Sequence, residues 1–135
     1  MTLVHLDTNV LIRGFPSRSP IGTNDQTQIS SIVYAEFLEG LNSHDPAVVI
    51  ETGRQLTLLD RLYQGGVPFD GETAKLYQVL SGVATRSGQT SRKRRIDMMI
   101  AASAIQYGAA LATYNAADFT ALGNALLIID LSVGD

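Results

Sequence analysis

Asp97-Met98-Met99-Ile100-Ala101-Ala102-Ser103-Ala104 runs on through Gly108 into Ala109-Ala110-Leu111-Ala112-Thr113 and the turn Tyr114-Asn115. The first part reads as an alanine-rich helix from about Arg94 to Tyr107 that stops at the glycine. The second is a short strand, Ala109–Thr113, apolar at consecutive rather than alternate positions. A strand of that kind is covered on both faces, as in a parallel sheet between layers of helix.

The same alternation extends in both directions. Towards the amino end, Thr2–Leu6 reads as a buried strand followed by a brief helix, Thr8–Arg13, and a long polar loop, Gly14–Thr27. Gln28-Ile29-Ser30 is a second short strand, after which Ser31 can cap a helix over Ile32–Leu41. Asp45-Pro46, an N-cap followed by an N1 proline, opens an amphipathic helix to about Tyr63, and Gly65-Gly66 ends it. Val67-Pro68-Phe69 fits an edge strand, because proline cannot donate to a central ladder. Asp70 caps a helix from Gly71 to about Thr85, and Ser87–Ser91 is a polar loop. Beyond Thr113 come a helical turn over Ala116–Leu122 and a last strand, Leu126–Ile129. Strands alternating with helices predict an open, mainly parallel α/β sheet with helices on both faces.

The chain of 135 residues is long enough for one domain with its own core, over residues 1–135. No tryptophan and four phenylalanines make that core aliphatic. The absence of cysteine suits a reducing compartment. The first apolar run stops at Asp7, so no signal peptide is expected, and Met98–Tyr114 is interrupted at Gln106 and Gly108, short of a membrane span. The expectation is a soluble, cytoplasmic protein with no membrane partner.

Four acidic residues carry the chemistry: Asp7, Glu36, Asp97 and Asp118. Asp7 closes the first strand, where it could serve as an N-cap, but ligands of parallel sheets bind beyond the carboxyl ends of strands. Glu36 falls outside the capping-box position and shares a helix face with Ile32, Val33 and Gly40. A carboxylate there is costly unless it is paired or ligates a metal. Asp97 could complement a helix dipole, yet its one-turn neighbours are Ala101 and Ala104, a small-residue face that packs inward. Asp118 has the strongest ordinary explanation, since Asn115-x-x-Asp118 makes a capping box. Thr113 and Asn115 at the same strand end could orient water or ligands. Converging carboxylates suit a hard divalent ion, Mg²⁺ or Mn²⁺, and metal-assisted phosphodiester chemistry.

Other schemes lack support. His5 and His44 have no partner histidine at ligand spacing, and the chain offers neither a nucleophilic triad nor a glycine-rich phosphate loop. His5 fits a core histidine, and Asp70 an ordinary cap. A phosphoacceptor domain of the receiver type needs a lysine at a later strand end, and no lysine follows Lys93.

Net charge is −3, unlike a dedicated nucleic-acid binder, but its distribution is uneven. Five of the ten cations, Arg86, Arg92, Lys93, Arg94 and Arg95, precede Asp97 within ten positions, and no Lys or Arg follows. The run Arg92–Arg95 is either a solvated loop or, from its place directly before Asp97, a phosphate-contacting rim, and both readings stay open; the acids themselves are expected to have no nearby cation neutralising them.

Taken in order, Leu6-Asp7-Thr8-Asn9-Val10-Leu11-Ile12, Ser31 with Glu36-Phe37-Leu38-Glu39-Gly40, Asp97 to Ala104, and Leu111-Ala112-Thr113-Tyr114-Asn115-Ala116-Ala117-Asp118-Phe119 resemble the PIN-domain ribonucleases, and among them the VapC-type toxins of bacterial toxin–antitoxin pairs. The resemblance covers the whole chain. It implies a PIN-like three-layer sandwich and a catalytic, metal-binding set of Asp7, Glu36, Asp97 and Asp118. Thr8, Asn9, Thr113 and Asn115 would position water or substrate, and Arg92, Lys93, Arg94 and Arg95 would meet RNA. It further implies cleavage of single-stranded RNA with one or two Mg²⁺ or Mn²⁺ ions, a homodimer, and a cognate VapB-type antitoxin. Tyr114 departs from the family, which often has a basic or small residue there. Two alternatives stay open: a non-catalytic PIN-like module binding nucleic acid or protein, which would normally have lost an acid, and a DNA nuclease of the same chemistry.

Overall fold

In the computed structural model, which describes residues 2–88 and 91–134, four strands form one parallel sheet in the order β2-β1-β3-β4. These are β1 (Leu3–Leu6), β2 (Gln26–Gln28), β3 (Ala110–Thr113) and β4 (Ile128–Asp130). Five α-helices flank them: α1 (Thr8–Arg13), α2 (Ser31–Leu38), α3 (Pro46–Tyr63), α4 (Gly71–Arg86) and α5 (Arg92–Gln106). The expected α/β sandwich is the observed one. After β1 the chain moves to β2 on one side, whereas β3 returns on the other. The carboxyl ends of β1 and β3 therefore flank the point where the winding reverses, the place where such sheets bind ligands.

The middle of the sheet is apolar because both its faces are covered. Val4 and Leu6 on β1 and Leu111 and Ala112 on β3 are buried, and so are Met98, Ile100, Ala101, Ala102 and Ala104 on α5. The small side chains let α5 lie close to β3. Each fully buried Met or Ile contributes roughly 1.5–3 kcal/mol, enough to carry a buried acid on the same helix. His5 is buried as a core histidine, with Nδ1 2.8 Å from Gln28 Oε1 on the neighbouring strand. Burial lowers its pKa to about 4, so the ring is neutral.

Several boundaries differ from the sequence expectation. The second strand lies at Gln26–Gln28, not Gln28–Ser30, because Gln26 N–H donates to Thr2 O (3.0 Å) and starts the pairing early. Of the two serines able to cap α2, Ser30 does so, its Oγ accepting from Val33 N–H at 3.1 Å. The helix ends at Leu38 and tightens into a 3₁₀ turn, Glu39–Asn42. The edge strand over Val67–Phe69 is reduced to one parallel bridge, Ser30 with Val67, since Pro68 has no N–H to extend it. The basic run is no loop: Ser91 caps α5, whose first turn is Arg92–Arg95. The expected loop Ser87–Ser91 lies partly outside the described residues, at Gln89 and Thr90. Asp45 and Asp70 cap α3 and α4 as expected.

One glycine controls where α2 begins. Gly66 has φ +85°, and a Cβ there would lie 2.8 Å from Ile29 O and Ser30 C, immediately before the helix that carries Glu36. Gly65 shares the same φ but faces open space. Gly66→Ala should therefore cost about 3 kcal/mol or more in urea unfolding, and Gly65→Ala only about 1–2 kcal/mol. Equal losses would show that the close approach of Gly66 to Ser30 is not what restricts it.

Candidate active site

The parallel ladder places Asp7 just past β1, with its N–H donating to Ala112 O at 3.0 Å. The same residue caps α1, its Oδ1 accepting from Thr8 N–H at 2.8 Å. Capping and site roles thus coincide in one buried carboxylate. Thr113 Oγ1 donates to Asp7 Oδ2 (2.8 Å), and Asn9 Nδ2 donates to both Thr113 Oγ1 (3.2 Å) and Asp7 Oδ2 (3.3 Å). Asn115 N–H donates to Thr113 Oγ1 (3.0 Å), and Tyr114 N–H to Asn9 Oδ1 (3.2 Å). Asn9 and Thr113 therefore hold Asp7 in place, while Asn115 contributes its backbone to this network. Its side chain makes no cap hydrogen bond.

Glu36 lies half-buried on α2, where Thr8 Oγ1 donates to its Oε1 at 2.5 Å. Thr8 is thus the tether between the first and second acids. Asp97 is buried in the second turn of α5, consistent with the small-residue face beside it. Asp118 sits in the 3₁₀ turn Ala116–Ala125 and does not form the capping box expected with Asn115. Its side chain instead meets the basic turn of α5.

That contact overturns one expectation: these acids have cations beside them. Lys93 Nζ is 2.9 Å from Asp118 Oδ2 and 3.2 Å from Asp97 Oδ2. Arg94 Nη1 donates to Asp118 O and lies 3.8 Å from Asp97 Oδ2 and 3.9 Å from Asp118 Oδ1. The spacing of Lys93 and Arg94 before Asp97, four and three residues, is the helical neighbour spacing and was a usable signal. The closure onto Asp118 was not, because it depends on packing between α5 and the turn after β3. Arg92 and Arg95 remain exposed on the same helical turn.

Electrostatics follow from burial. Desolvation raises the pKa of Asp7 against the hydrogen bonds from Thr113 and Thr8. Desolvation likewise raises Glu36, opposed by Thr8 and reinforced by the charge of Asp7. Asp97 is pushed up to about 6, first by desolvation and then by Asp7 and Asp118, with Lys93 opposing. For Lys93 burial disfavours the charge, but Asp118 and Asp97 outweigh it and raise its pKa. The charge of Asp7 thus acts on both Glu36 and Asp97.

Among the described residues, no three acidic, histidine or cysteine side chains stand together closely enough to hold a metal ion. The four carboxylates, expected to hold one or two ions, are thus not gathered into a ready-made site. Partly desolvated like charges repel, and an ammonium lies among them instead. The donor set still suits a hard divalent cation: it is all carboxylate oxygen, and a cation already occupies part of it. Beside the cluster opens a cavity of about 510 Å³, lined by Lys93, Arg94, Asp97, Asn115, Asp118 and Asp130 among others. Tyr114, the departure noted above, also borders it. Its OH donates to Gly14 O (2.6 Å) and its ring lies 4.0 Å beneath the Arg13 guanidinium, so it anchors the segment after α1.

The family model of the PIN domain matches residues 4–124. No curated protein matches significantly. The chain is similar in structure to a member of the VapBC family of toxin–antitoxin systems, VapBC-5 from Mycobacterium tuberculosis, with 22% identity, a TM-score of 0.77, and coverage of 96% of this chain and 99% of that one. VapBC2 from Rickettsia felis, bound to a promoter DNA fragment, gives 20%, 0.73, 96% and 98%. FitAcB from Neisseria gonorrhoeae gives 22%, 0.68, 96% and 98%.

The raised Asp97 pKa has a stability consequence of definite sign. The folded state of the metal-free protein holds a proton on Asp97 up to about pH 6, whereas the unfolded chain releases it near 3.8. Asp97 therefore costs stability above pH 6, on the order of 2 kcal/mol, and that cost vanishes below pH 4. His5, lowered to about 4, acts oppositely over the same window and flattens the parent profile. The difference between Asp97→Asn and parent isolates the acid. In EDTA the variant should be the more stable at pH 7 and converge with the parent near pH 4. A constant difference across that range would contradict the assignment.

Proposed function

The chain belongs to the PIN-domain family, and from that membership we propose that it is a Mg²⁺- or Mn²⁺-dependent endoribonuclease acting on single-stranded RNA as the toxin of a toxin–antitoxin pair. The observation that carries the proposal is the set of Asp7, Asn9 and Thr113 at the β1/β3 reversal, with Asp97 and Asp118 joined across it by Lys93. A divalent ion bound there supplies positive charge for the scissile phosphate and makes water a stronger acid.

The residues divide the work. Asp7, locked by Thr113, Asn9 and its cap bond, and Asp97, locked in α5, offer the fixed oxygens for direct ligation. Glu36, steadied by Thr8, and Asp118 at the cavity edge ligate through water or orient the attacking water. Retention of all four acids favours an enzyme over a non-catalytic binding module. RNA reaches the cluster through the neighbouring cavity, where Asn115 faces it. Arg92 and Arg95 attract its phosphates without reading sequence. The proposal includes a cytoplasmic setting and a homodimer; no described helix is long and apolar enough to cross a membrane.

The antitoxin expected of such a pair has a receiving surface at hand. A mainly apolar groove of about 330 Å³ runs between α1, α2 and α3, lined by Ile12, Glu36, Phe37, Val48 and Thr52. Ile12 is 70% exposed at its edge, and Glu36 belongs to both the groove and the acidic cluster. A VapB-type segment seated there would reach the site directly. The long loop over residues 14–25, between α1 and β2, borders the same end of α1.

Pure protein should cleave unstructured RNA with Mn²⁺ or Mg²⁺, and Asp7→Asn or Asp97→Asn should abolish cleavage with the fold intact. Activity undiminished by EDTA would refute the metal assignment, and cleavage confined to DNA would select the deoxyribonuclease alternative.

Arg92→Gln combined with Arg95→Gln should weaken RNA binding and flatten the slope of log affinity against log salt by about 1.4, at 0.7 for each phosphate contact. An unchanged slope would return the two arginines to the solvated surface.

Expressed alone, the protein should arrest growth, and its cognate antitoxin should relieve the arrest. Ile12→Asp should leave cleavage intact but abolish that relief. Relief retained in this variant would exclude the groove as the docking surface.

A further inference from the structure

Lys93 occupies an unusual place for a residue in the first turn of a helix. A cation there opposes the helix dipole, so something else must hold it. What holds it is a pair of carboxylates from separate elements, Asp97 within α5 and Asp118 in the turn after β3. Its stem is largely exposed, with 67% of the side chain accessible, while the Asp97 carboxylate it reaches is only 10% accessible. The charged end thus reaches buried Asp97 and partly exposed Asp118 on an arm that is free to swing out. Arg94 is built differently. Its side chain is 19% accessible and bound to the Asp118 backbone carbonyl, which makes it a fixed strut between α5 and that turn.

We propose that Lys93 is a tethered counter-ion of the acidic site, which a divalent metal must displace, so that the chain lowers its own metal affinity through this residue. The inference rests on the proposed metal site and concerns what competes for it. A metal ligated by Asp97 and approached by Asp118 draws on the same two carboxylates whose Oδ2 atoms Lys93 contacts, so the two cations compete for them. Lys93 also lines the 510 Å³ cavity. Once displaced, its ammonium faces the space through which a phosphate would approach.

Calorimetric titration of the whole protein with MnCl₂ tests this without reference to RNA cleavage. Lys93→Met and Lys93→Gln should each bind Mn²⁺ about three- to tenfold more tightly than the parent, the scale of one or two partly exposed ion pairs that no longer have to break. Lys75→Met is the control. It removes the same charge from an exposed pair with Glu72 on α4 and should leave Mn²⁺ affinity unchanged. Equal affinity of the parent and both Lys93 variants, weaker binding by those variants, or an equal gain in Lys75→Met would overturn the proposal while leaving the metal site standing. No binding of Mn²⁺ by any of the proteins would overturn the metal site and this inference together.

Discussion

The hydrogen bond from Asp7 N–H to Ala112 O, 3.0 Å long, closes the parallel ladder between the two central strands, and the site is suspended from it. It sets the end of β1 level with the end of β3, so Thr113 falls beside the Asp7 carboxylate and Asn9 bridges the two. A slip of one residue would exchange the two faces of β1 throughout. Buried His5, bonded to Gln28 on the face opposite Val4 and Leu6, opposes that slip. The core thereby specifies the position of a polar cluster that it does not itself contain.

The second constraint is the cost of gathering acids at a partly dry edge. Desolvation and mutual repulsion raise Asp7, Glu36 and Asp97 together, and the fold meets this cost locally with hydroxyl, amide and cationic donors. Thr113 and Asn9 serve Asp7, Thr8 serves Glu36, and Lys93 with Arg94 serves the Asp97–Asp118 side. The amino-terminal pair of acids is balanced by neutral hydrogen bonds, whereas the carboxyl-terminal pair is balanced by charge. A divalent ion therefore meets its strongest competition at Asp97 and Asp118, whereas at Asp7 and Glu36 it meets neutral hydrogen-bond donors.

How far the molecule was legible in advance depends on the range of the interactions involved. Asp7 and Asp97 could be placed from local pattern alone, one by its position after an apolar strand and the other by the alanine face around it. The start of β2 could not, because it depends on Gln26 meeting Thr2 across the sheet rather than on the residues that follow it. The Asn115–Asp118 spacing suggested a cap, but a carboxylate within reach of Lys93 and Arg94 pairs with them instead. The basic turn shows the same limit from the other side. Helical spacing tied Lys93 and Arg94 to Asp97, yet a run of charge ahead of a helix reads equally well as a phosphate-binding rim. Packing of α5 against the turn after β3 separates the roles, bringing the charged ends of Lys93 and Arg94 onto Asp97 and Asp118 and leaving Arg92 and Arg95 exposed.

The central claim is that these carboxylates form one divalent-metal site. It is tested most directly by an anomalous difference map from crystals grown or soaked with Mn²⁺. The account predicts a peak about 2.1 Å from carboxylate oxygens of Asp7 and Asp97, with Lys93 Nζ withdrawn from Asp97 and Asp118. A map with no peak at the β1/β3 edge at saturating Mn²⁺, and Lys93 still bridging the two acids, would contradict it.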